Sequence, residues 1–381
     1  MEYFLSEQQE EIRKLTRQIA EEQVLPVRAE LDEKEEFPRD IMNILADSGL
    51  CGVYLPEEYG GLGGGILDLC LVVEELSRVC SSVALTYAAT ALGCLTLLEY
   101  GSEEQKQKYI PGIANGKILT GFGLTEEMAG SDAGAIKATA EKVDSGYLLN
   151  GTKRFITNGG EADLYTIIAL TDKTKGARGA SALLVEKDTP GFSLGRKEKK
   201  MGIRASATRE LVFEDCLVPE ENIIGKEGLG FLMTMRLLDR SRPGVASQAL
   251  GVAQGALEAA VDHARQRVQF GHPLFAQQAV QMMLADMAIQ VESARALIYA
   301  VARTIDSGAK SFTMESAMSK VFASDVAMKV TTDAMQIFGG VGYMRDYPIE
   351  KMFRDAKITQ IYEGSNQVLR SALAFELRKK M

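Results

Sequence analysis

The sequence is poor in the residues that build metal and disulfide sites. It has only two histidines, and none of its five cysteines forms a Cys-x-x-Cys pair, so a zinc site would have few ligands to draw on. The odd number of cysteines and their apolar surroundings predict buried, reduced thiols in a reducing compartment. We therefore expect no metal site.

The sequence also lacks an excess of positive charge. It has 43 lysines and arginines against 52 aspartates and glutamates, a formal net charge of −9. This balance argues against a nucleic-acid partner, because binding a phosphate backbone needs a basic surface. A local basic patch that binds a phosphate-bearing small molecule is still compatible with this net charge.

Long apolar runs and targeting signals are missing as well. No stretch is apolar for long enough that we expect it to span a bilayer. The start, Met1-Glu2-Tyr3, carries neither a secretory pattern nor an Arg-rich transit peptide. We expect a cytoplasmic location, or the mitochondrial matrix if a transit peptide has been removed.

What is present changes character along the chain, which at 381 residues exceeds the usual size of one hydrophobic core. Residues 1–115 show apolar residues at helical spacing, broken by a glycine-rich loop at 59–65. Residues 116–225 carry short β-rich runs between turn residues, with no long helices between them. That order favours an antiparallel barrel or sandwich. The clearest runs are 164–170, 182–185 and 211–213.

Residues 226–381 are rich in Ala, Met, Leu and Gln and predict long helices over 241–267, 275–306 and 313–338. Ser241 followed by Pro243 predicts the start of the first helix, and Gly339-Gly340 predicts the end of the third. Helices of this length normally pack as a bundle.

Two segments in the β-rich region could hold a flat polar ring. Residues 121–132 (GFGLTEEMAGSD) leave a predicted strand and offer hydroxyls and backbone N–H groups. Residues 153–160 (KRFITNGG) end a strand with an aromatic, an aliphatic and a hydroxyl side chain. Each also fits an ordinary turn, a self-capped β-turn in the first case and a tight strand-end turn in the second.

Three further segments lie among the predicted helices. Residues 265–271 (RQRVQFG) suit phosphate recognition by arginine, or cationic capping of a helix C-terminus. Residues 336–342 (QIFGGVG) permit close backbone approach to a ligand, or simply cap a helix. Residues 354–367 place Glu363 before Gly364 and Ser365, where a glutamate could equally complement a helix dipole.

Together, in this order and spacing, the five segments resemble the acyl-CoA dehydrogenase family, most closely its short- and medium-chain members. The resemblance covers nearly the whole chain and includes EEYGG at 57–61, FGHPL at 270–274 and DAKI at 355–358. It implies a mainly α fold with a β domain. The expected domains are an N-terminal helical domain (1–115), a middle β-barrel or sandwich (116–225) and a C-terminal four-helix bundle (226–381).

The resemblance also implies the chemistry. FAD would remove hydrogens from the α and β carbons of an acyl-CoA, with Glu363 abstracting the α proton and flavin N5 taking the β hydride. The alternative base position of some relatives is occupied here by Ser241, which cannot serve as a base. A homotetramer is implied, with an electron-transfer flavoprotein as acceptor.

Positions that match the family's ligand contacts fall into two sets. Substrate contacts are expected at Ser131, Asp239, Arg242 and Gly364. FAD contacts, some across a subunit interface, are expected at Phe122, Leu124, Thr125, Ser131, Phe155, Ile156, Thr157, Arg267, Gln269, Phe270, Gln278, Gln336, Gly339, Gly340, Ser365 and Gln367.

Several alternatives remain open within this resemblance. The alanines at 84, 88 and 91 could leave width for a branched or cyclohexane-type acyl group, or could simply pack a helix. The absence of arginine in residues 82–91 argues against a dicarboxylate substrate. An oxygen-using acyl-CoA oxidase, a non-catalytic flavin-binding protein and a DNA-associated relative are the remaining alternatives.

Overall fold

Helices make up the first part of the chain, as predicted. The computed structural model describes residues 3–380, with side chains to residue 378. Two of these helices begin at capping boxes. Ser6 and Ser102 each accept from the backbone N–H three residues on, and that residue's glutamine side chain accepts in return. The start of the chain was expected to carry no secretory pattern or transit peptide. Of that start, Met1 and Glu2 lie outside the described residues. The helices are α1 (Glu7–Ile19), α2 (Arg28–Lys34), α3 (Arg39–Asp47), α4 (Ile66–Val79), α5 (Ser81–Tyr100) and α6 (Glu103–Ala114).

The α5 helix corrects one expectation from the sequence. By length and composition it is apolar enough to cross a membrane, and it is the one such helix among residues 3–380. However, 83% of its most apolar window is buried inside the protein. It is therefore a core helix, and the hydroxyls of Thr86 and Thr90 donate to backbone carbonyls one turn back, those of Ser82 and Thr86.

The middle of the chain forms an eight-stranded sheet in the order β6-β7-β3-β2-β4-β5-β8, with β1 paired to β4. The predicted run 164–170 is β4 itself, and the other two runs lie within β5 and β7. Most pairs are antiparallel, as predicted, but β1 and β2 both run parallel to β4. The strands are β1 (Thr120–Gly123), β2 (Thr139–Val143), β3 (Gly146–Thr157), β4 (Leu164–Leu170), β5 (Ala180–Glu186), β6 (Phe192–Lys197), β7 (Thr208–Val218) and β8 (Ile223–Ile224).

The last part of the chain is a helical bundle, as predicted, with one wrong boundary. The first long helix begins at Gly230, so Pro243 lies inside it. Proline cannot donate to the carbonyl four residues back, and the Asp239 carbonyl instead accepts a hydrogen bond from Ser316 Oγ. The elements are α7 (Gly230–Gln266), β9 (Val268–Gln269), β10 (His272–Pro273), α8 (Gln278–Asp306), α9 (Thr313–Phe338), α10 (Pro348–Ala356) and α11 (Asn366–Lys380).

The two helical regions pack directly on each other through α4 and α7. A Cβ added at Gly251 or Gly255 would lie 2.3 or 2.1 Å from a backbone oxygen of α4, so only glycine allows this approach. Glu74 of α4 accepts hydrogen bonds from Arg295 and Tyr299 of α8, at 2.8 Å each. These contacts fix α4, α7 and α8 as one rigid support for the cavity beside them.

All five cysteines are buried and free, which confirms the expectation of buried, reduced thiols. They are Cys51, Cys70, Cys80, Cys94 and Cys216.

Candidate active site

A cavity of about 280 Å³ lies where the helices meet the sheet. It is lined by α5, by the segments that follow β1 and end β3, by α7 and by the loop before α11. Glu363 lies on that loop and lines the cavity together with Arg242 and Tyr362. Most of the other lining side chains are apolar, so a carboxylate here faces little water.

The backbone conformation of Glu363 is unusual and directs its side chain. Glu363 has φ = +50° and Gly364 has φ = +94°, both in the left-handed region that most side chains avoid. Strain of this kind tends to persist at functional sites. Burial raises the pKa of the Glu363 carboxyl, and three neighbours partly oppose this effect: the Ser241 hydroxyl, the Arg242 guanidinium and the Lys320 ammonium.

Three side chains hold the Glu363 loop. Ser241 Oγ donates to Glu363 Oε2 at 2.6 Å, and Arg242 Nε donates to the Glu363 carbonyl at 3.4 Å. Lys320 Nζ donates to the Gly364 carbonyl at 2.8 Å and to Asn366 Oδ1 at 3.0 Å. Burial lowers the pKa of Lys320 to about 8, which leaves the ammonium mostly charged at neutral pH. The loop is thus tied to both α7 and α9.

The segment after β1 also lines the cavity and rests on a buried ion pair. Lys153 and Glu126 are both buried, 2.6 Å apart, and Lys153 also donates to the Leu124 carbonyl at 3.1 Å. Glu126 accepts from the backbone N–H groups of Lys137 and Ala138 as well. These bonds fix the backbone on either side of Thr125, whose side chain lines the cavity.

The end of β3 separates this cavity from a second one of about 320 Å³. Phe155, Thr157 and Tyr362 line both cavities. Asn158 follows with φ = +60° and is fully buried, and it donates to the Thr86 and Thr120 carbonyls at 3.2 and 3.1 Å. Asn158 therefore ties the end of β3 to α5 and β1, at the boundary between the two cavities.

The cavity brings ten of the predicted site residues together. It is lined by Phe122, Leu124, Thr125, Ser131, Phe155, Ile156, Thr157, Arg242, Glu363 and Gly364. Asp239 does not line it, but pairs with Arg242 at 2.5 Å and accepts from Thr313 Oγ1 at 2.6 Å. The remaining nine do not line it either: Arg267, Gln269, Phe270, Gln278, Gln336, Gly339, Gly340, Ser365 and Gln367.

The apolar part of the cavity differs from the expectation for α5. Ala88 lines it, as anticipated, but Ala84 and Ala91 are buried elsewhere in the core. Their small size therefore serves helix packing and adds no width to the cavity. The apolar lining contributed by α5 and α7 is Leu85, Ala88, Ala89, Leu92, Met235, Leu238 and Val245.

Sequence reasoning missed the residues that support the site from behind. Lys320 and Gln248 lie inside long helices, where lysine and glutamine are common and carry no motif. Tyr362, next to Glu363, donates to the Gln248 side chain, and Gln248 Nε2 donates to Ser81 Oγ at 2.8 Å. Only the tertiary contacts of the folded chain show that these groups lie close to Glu363.

A larger surface cleft, of about 680 Å³, is a poorer candidate. Its lining includes Glu104, Glu220, Glu221 and Glu227, and so many carboxylates would repel an anionic ligand. The chemistry of the smaller cavity is more specific. It combines a partly buried carboxylate with hydroxyls and mostly apolar lining, an arrangement that suits an enzyme using a general base.

Comparison with known families agrees with this class of enzyme along the chain. The models for the N-terminal, middle and C-terminal domains of acyl-CoA dehydrogenases match residues 6–117, 121–216 and 228–377. The chain therefore belongs to the acyl-CoA dehydrogenase family and is a flavoprotein enzyme of acyl-CoA dehydrogenation.

Individual relatives are similar over almost their entire length. The short-chain specific acyl-CoA dehydrogenase of Clostridium acetobutylicum is 47% identical over 369 residues, 97% of each chain. The butyryl-CoA dehydrogenase structure from Megasphaera elsdenii has a TM-score of 0.97 at 46% identity, covering 99% of this chain and 100% of that one. A structure from Acidaminococcus fermentans, from work on its electron transferring flavoprotein and electron bifurcation, has a TM-score of 0.97 at 48% identity and 99% coverage of both chains.

Proposed function

We propose that this chain is a FAD-dependent dehydrogenase of short acyl-CoA thioesters, with Glu363 as the base that removes the α proton. The observation that carries the proposal is the position of the Glu363 carboxylate, partly buried in a cavity that Thr125 and Thr157 also line. A thioester between them would have its α carbon on the carboxylate side and its β carbon on the cofactor side.

The raised pKa of Glu363 suits this role. An α C–H beside a thioester is a weak acid, and an ordinary glutamate with a pKa of about 4.3 is a poor base for it. Burial raises the pKa of the Glu363 carboxyl and so strengthens it as a base. Arg242 and Lys320 partly oppose this rise in pKa by favouring the charged form of the carboxyl.

The residues of the cavity also fit a flavin ring. Thr125, Ser131 and Thr157 offer hydroxyls for the polar edge of a ring, and Phe122 and Ile156 offer apolar contact. A Cβ at Gly130 would meet nothing within 4 Å, so the loop leaves open space there. When bound, the flavin would supply the two-electron redox step and accept the β hydride. The protein would orient the reacting groups and provide their electrostatic environment.

The expected FAD contacts outside the cavity point to a second copy of the chain. Phe270 is 91% exposed at the tip of the β9–β10 hairpin, an unfavourable position for an aromatic unless a partner covers it. Arg267 and Gln269 lie on the same hairpin segment. We propose that these residues contact FAD bound mainly by a neighbouring subunit in a homotetramer.

The size of the cavity favours a short acyl group. About 280 Å³ must hold the acyl chain and part of the ring, and the lining from Leu85, Leu92 and Met235 is bulky. The relatives named for short-chain and butyryl substrates support the same choice. For the acceptor, we propose an electron-transfer flavoprotein, which the Acidaminococcus fermentans structure supports.

Anaerobic titration of the purified protein with acyl-CoAs tests the proposal. Butyryl-CoA should bleach the flavin absorbance at lower concentration than octanoyl-CoA, isovaleryl-CoA or cyclohexanecarbonyl-CoA. Leu92→Ala should shift this preference toward octanoyl-CoA, since one or two methylenes in an apolar pocket are worth about 1–3 kcal/mol. Absence of bleaching by every thioester would refute the function.

The acceptor is tested separately. Turnover in air should produce little hydrogen peroxide, while an added electron-transfer flavoprotein should support it. Stoichiometric peroxide would instead identify an acyl-CoA oxidase.

A further inference from the structure

Ser241 lies on α7, and its hydroxyl contacts Glu363. Ser241 Oγ lies 2.6 Å from Glu363 Oε2, and the residue is only 7% exposed. A hydrogen bond donated to a carboxylate is stronger than one between neutral groups, and a site of low dielectric strengthens it further. Ser241 thus contacts the catalytic carboxylate without itself being a base.

We infer that Ser241 is a positioning residue that holds the Glu363 carboxylate in its charged form and in one orientation until the α proton is transferred. This inference rests on the proposed function. It assigns Ser241 a part in the reaction beyond what the resemblance implied, which was only that this residue cannot be the base.

The hydroxyl has two acceptors but only one proton. Besides Glu363 Oε2, Ser241 Oγ can donate to the carbonyl oxygen of Leu238, one turn back on α7, at 3.3 Å. While Glu363 is charged, the shorter bond to its carboxylate is the better one. Once Glu363 has taken the α proton and become neutral, it accepts more weakly, and the hydroxyl can turn to Leu238. The alternative acceptor lets Ser241 release the acid without leaving a buried donor unpaired.

The backbone of Ser241 is well fixed. Asp239, two residues earlier, has its carbonyl held by Ser316 Oγ of α9, because Pro243 cannot donate to it. Arg242, the next residue, pairs with Asp239 at 2.5 Å and donates to the Glu363 carbonyl. A hydroxyl on this turn can therefore set the direction of a carboxylate on the neighbouring loop.

Other groups around Glu363 act in the same or the opposite direction, and a test must separate them from Ser241. The cations Arg242 and Lys320 favour the charged form, as Ser241 does, whereas burial opposes it. The charged and titratable groups around the Glu363 loop, from α7, α9, α10 and the loop itself, are Asp239, Arg242, Lys320, Asp325, Asp355 and Tyr362. None of them changes in a Ser241 variant.

The test is the pH profile of anaerobic flavin bleaching by saturating butyryl-CoA in Ser241→Ala. Without the donated bond, the acid limb should move to higher pH. The variant should be roughly tenfold slower than the wild type on that limb, in line with the loss of one hydrogen bond to a charged group. The bleaching rates of the variant and the wild type should converge at the higher pH values where Glu363 is ionised in both proteins. Ser241→Thr keeps the hydroxyl and should restore the wild-type profile.

Ser247→Ala provides the matched control, because Ser247 is a buried serine on the same helix that does not line the cavity. It should leave the profile unchanged. Superimposable wild-type and Ser241→Ala profiles, or an equal slowing at every pH, would overturn the inference. If the alanine variant does not retain flavin, Ser241→Cys, a weak donor of similar size, gives the same readout. Failure of butyryl-CoA to bleach the wild type would instead refute the proposed function.

Discussion

Lys320 donates a hydrogen bond at 2.8 Å to the carbonyl oxygen of Gly364, the residue directly after Glu363. The same ammonium donates to Asn366 Oδ1, and Asn366 Nδ2 in turn donates to Ser324 Oγ at 2.8 Å. Lys320 is fully buried on α9. A buried cation thus connects the rigid bundle to the loop that carries the proposed base.

Replacing Lys320 with methionine should loosen this loop. We expect bleaching by butyryl-CoA to slow roughly 10- to 100-fold, because small misplacements of a catalytic group are costly. The free energy of unfolding should fall by about 1–3 kcal/mol from the lost hydrogen bonds. Stopped-flow bleaching and urea denaturation measure the two effects. Lys329→Met, on the same helix but in an exposed pair with Asp333, is the control. Equal behaviour of both variants would contradict the role of Lys320.

The buried pair of Lys153 and Glu126 should matter for both stability and flavin binding. Lys153→Met leaves the Glu126 charge buried without its cation, which typically costs about 3–5 kcal/mol of unfolding free energy. The exposed pair of Lys142 and Glu220 offers a comparison, and Lys142→Met should cost no more than about 1 kcal/mol. Urea denaturation and the ratio of flavin to protein are the measurements. A similarly small loss of unfolding free energy in Lys153→Met and Lys142→Met would show that the buried pair does not support the segment around Thr125.

Arg267 tests the proposed contact between subunits. Removing its guanidinium in Arg267→Met should increase flavin loss during gel filtration, because a phosphate contact would disappear. Arg265→Met is the matched control, since Arg265 lies two residues away on the end of α7 and is 67% exposed. Equal flavin retention by both variants would count against the assigned contact.

The pH dependence of the wild type follows from the raised pKa of Glu363. The base acts only when ionised, so the rate must fall as pH drops through that pKa. Because burial raises it, the acid limb should lie above the ordinary glutamate value of about 4.3. The rate of bleaching at saturating butyryl-CoA, measured across the acidic range, gives the position of the limb. A limb at or below the ordinary value would contradict the burial of the carboxylate in the working enzyme.

Much of this architecture could be predicted from local sequence patterns. The third long helix has the predicted bounds, Thr313–Phe338, because its start and its Gly339 cap are local signals. The strand Leu164–Leu170 was equally clear from its apolar run between turns. The start of α7 was wrong by eleven residues, since Pro243 marks a helix start in most sequences. Here Ser316, distant in sequence, compensates for the missing N–H.

The site itself was only partly accessible from sequence. The family resemblance implied flavin contacts at Thr125 and Thr157 and a base at Glu363, and the fold brings all three to one cavity. The hydrogen bonds of Ser241 and Lys320 to the Glu363 loop join residues 122 and 44 positions apart. No periodicity or motif encodes such pairings, which arise only when α7 and α9 pack together.

The most direct test of the whole account is Glu363→Gln under anaerobic conditions. Glutamine keeps the shape and can still accept from Ser241, but it cannot take a proton from the α carbon. We expect the variant to retain its flavin and bind butyryl-CoA without bleaching. Bleaching at a rate near that of the wild type would show that Glu363 is not the base.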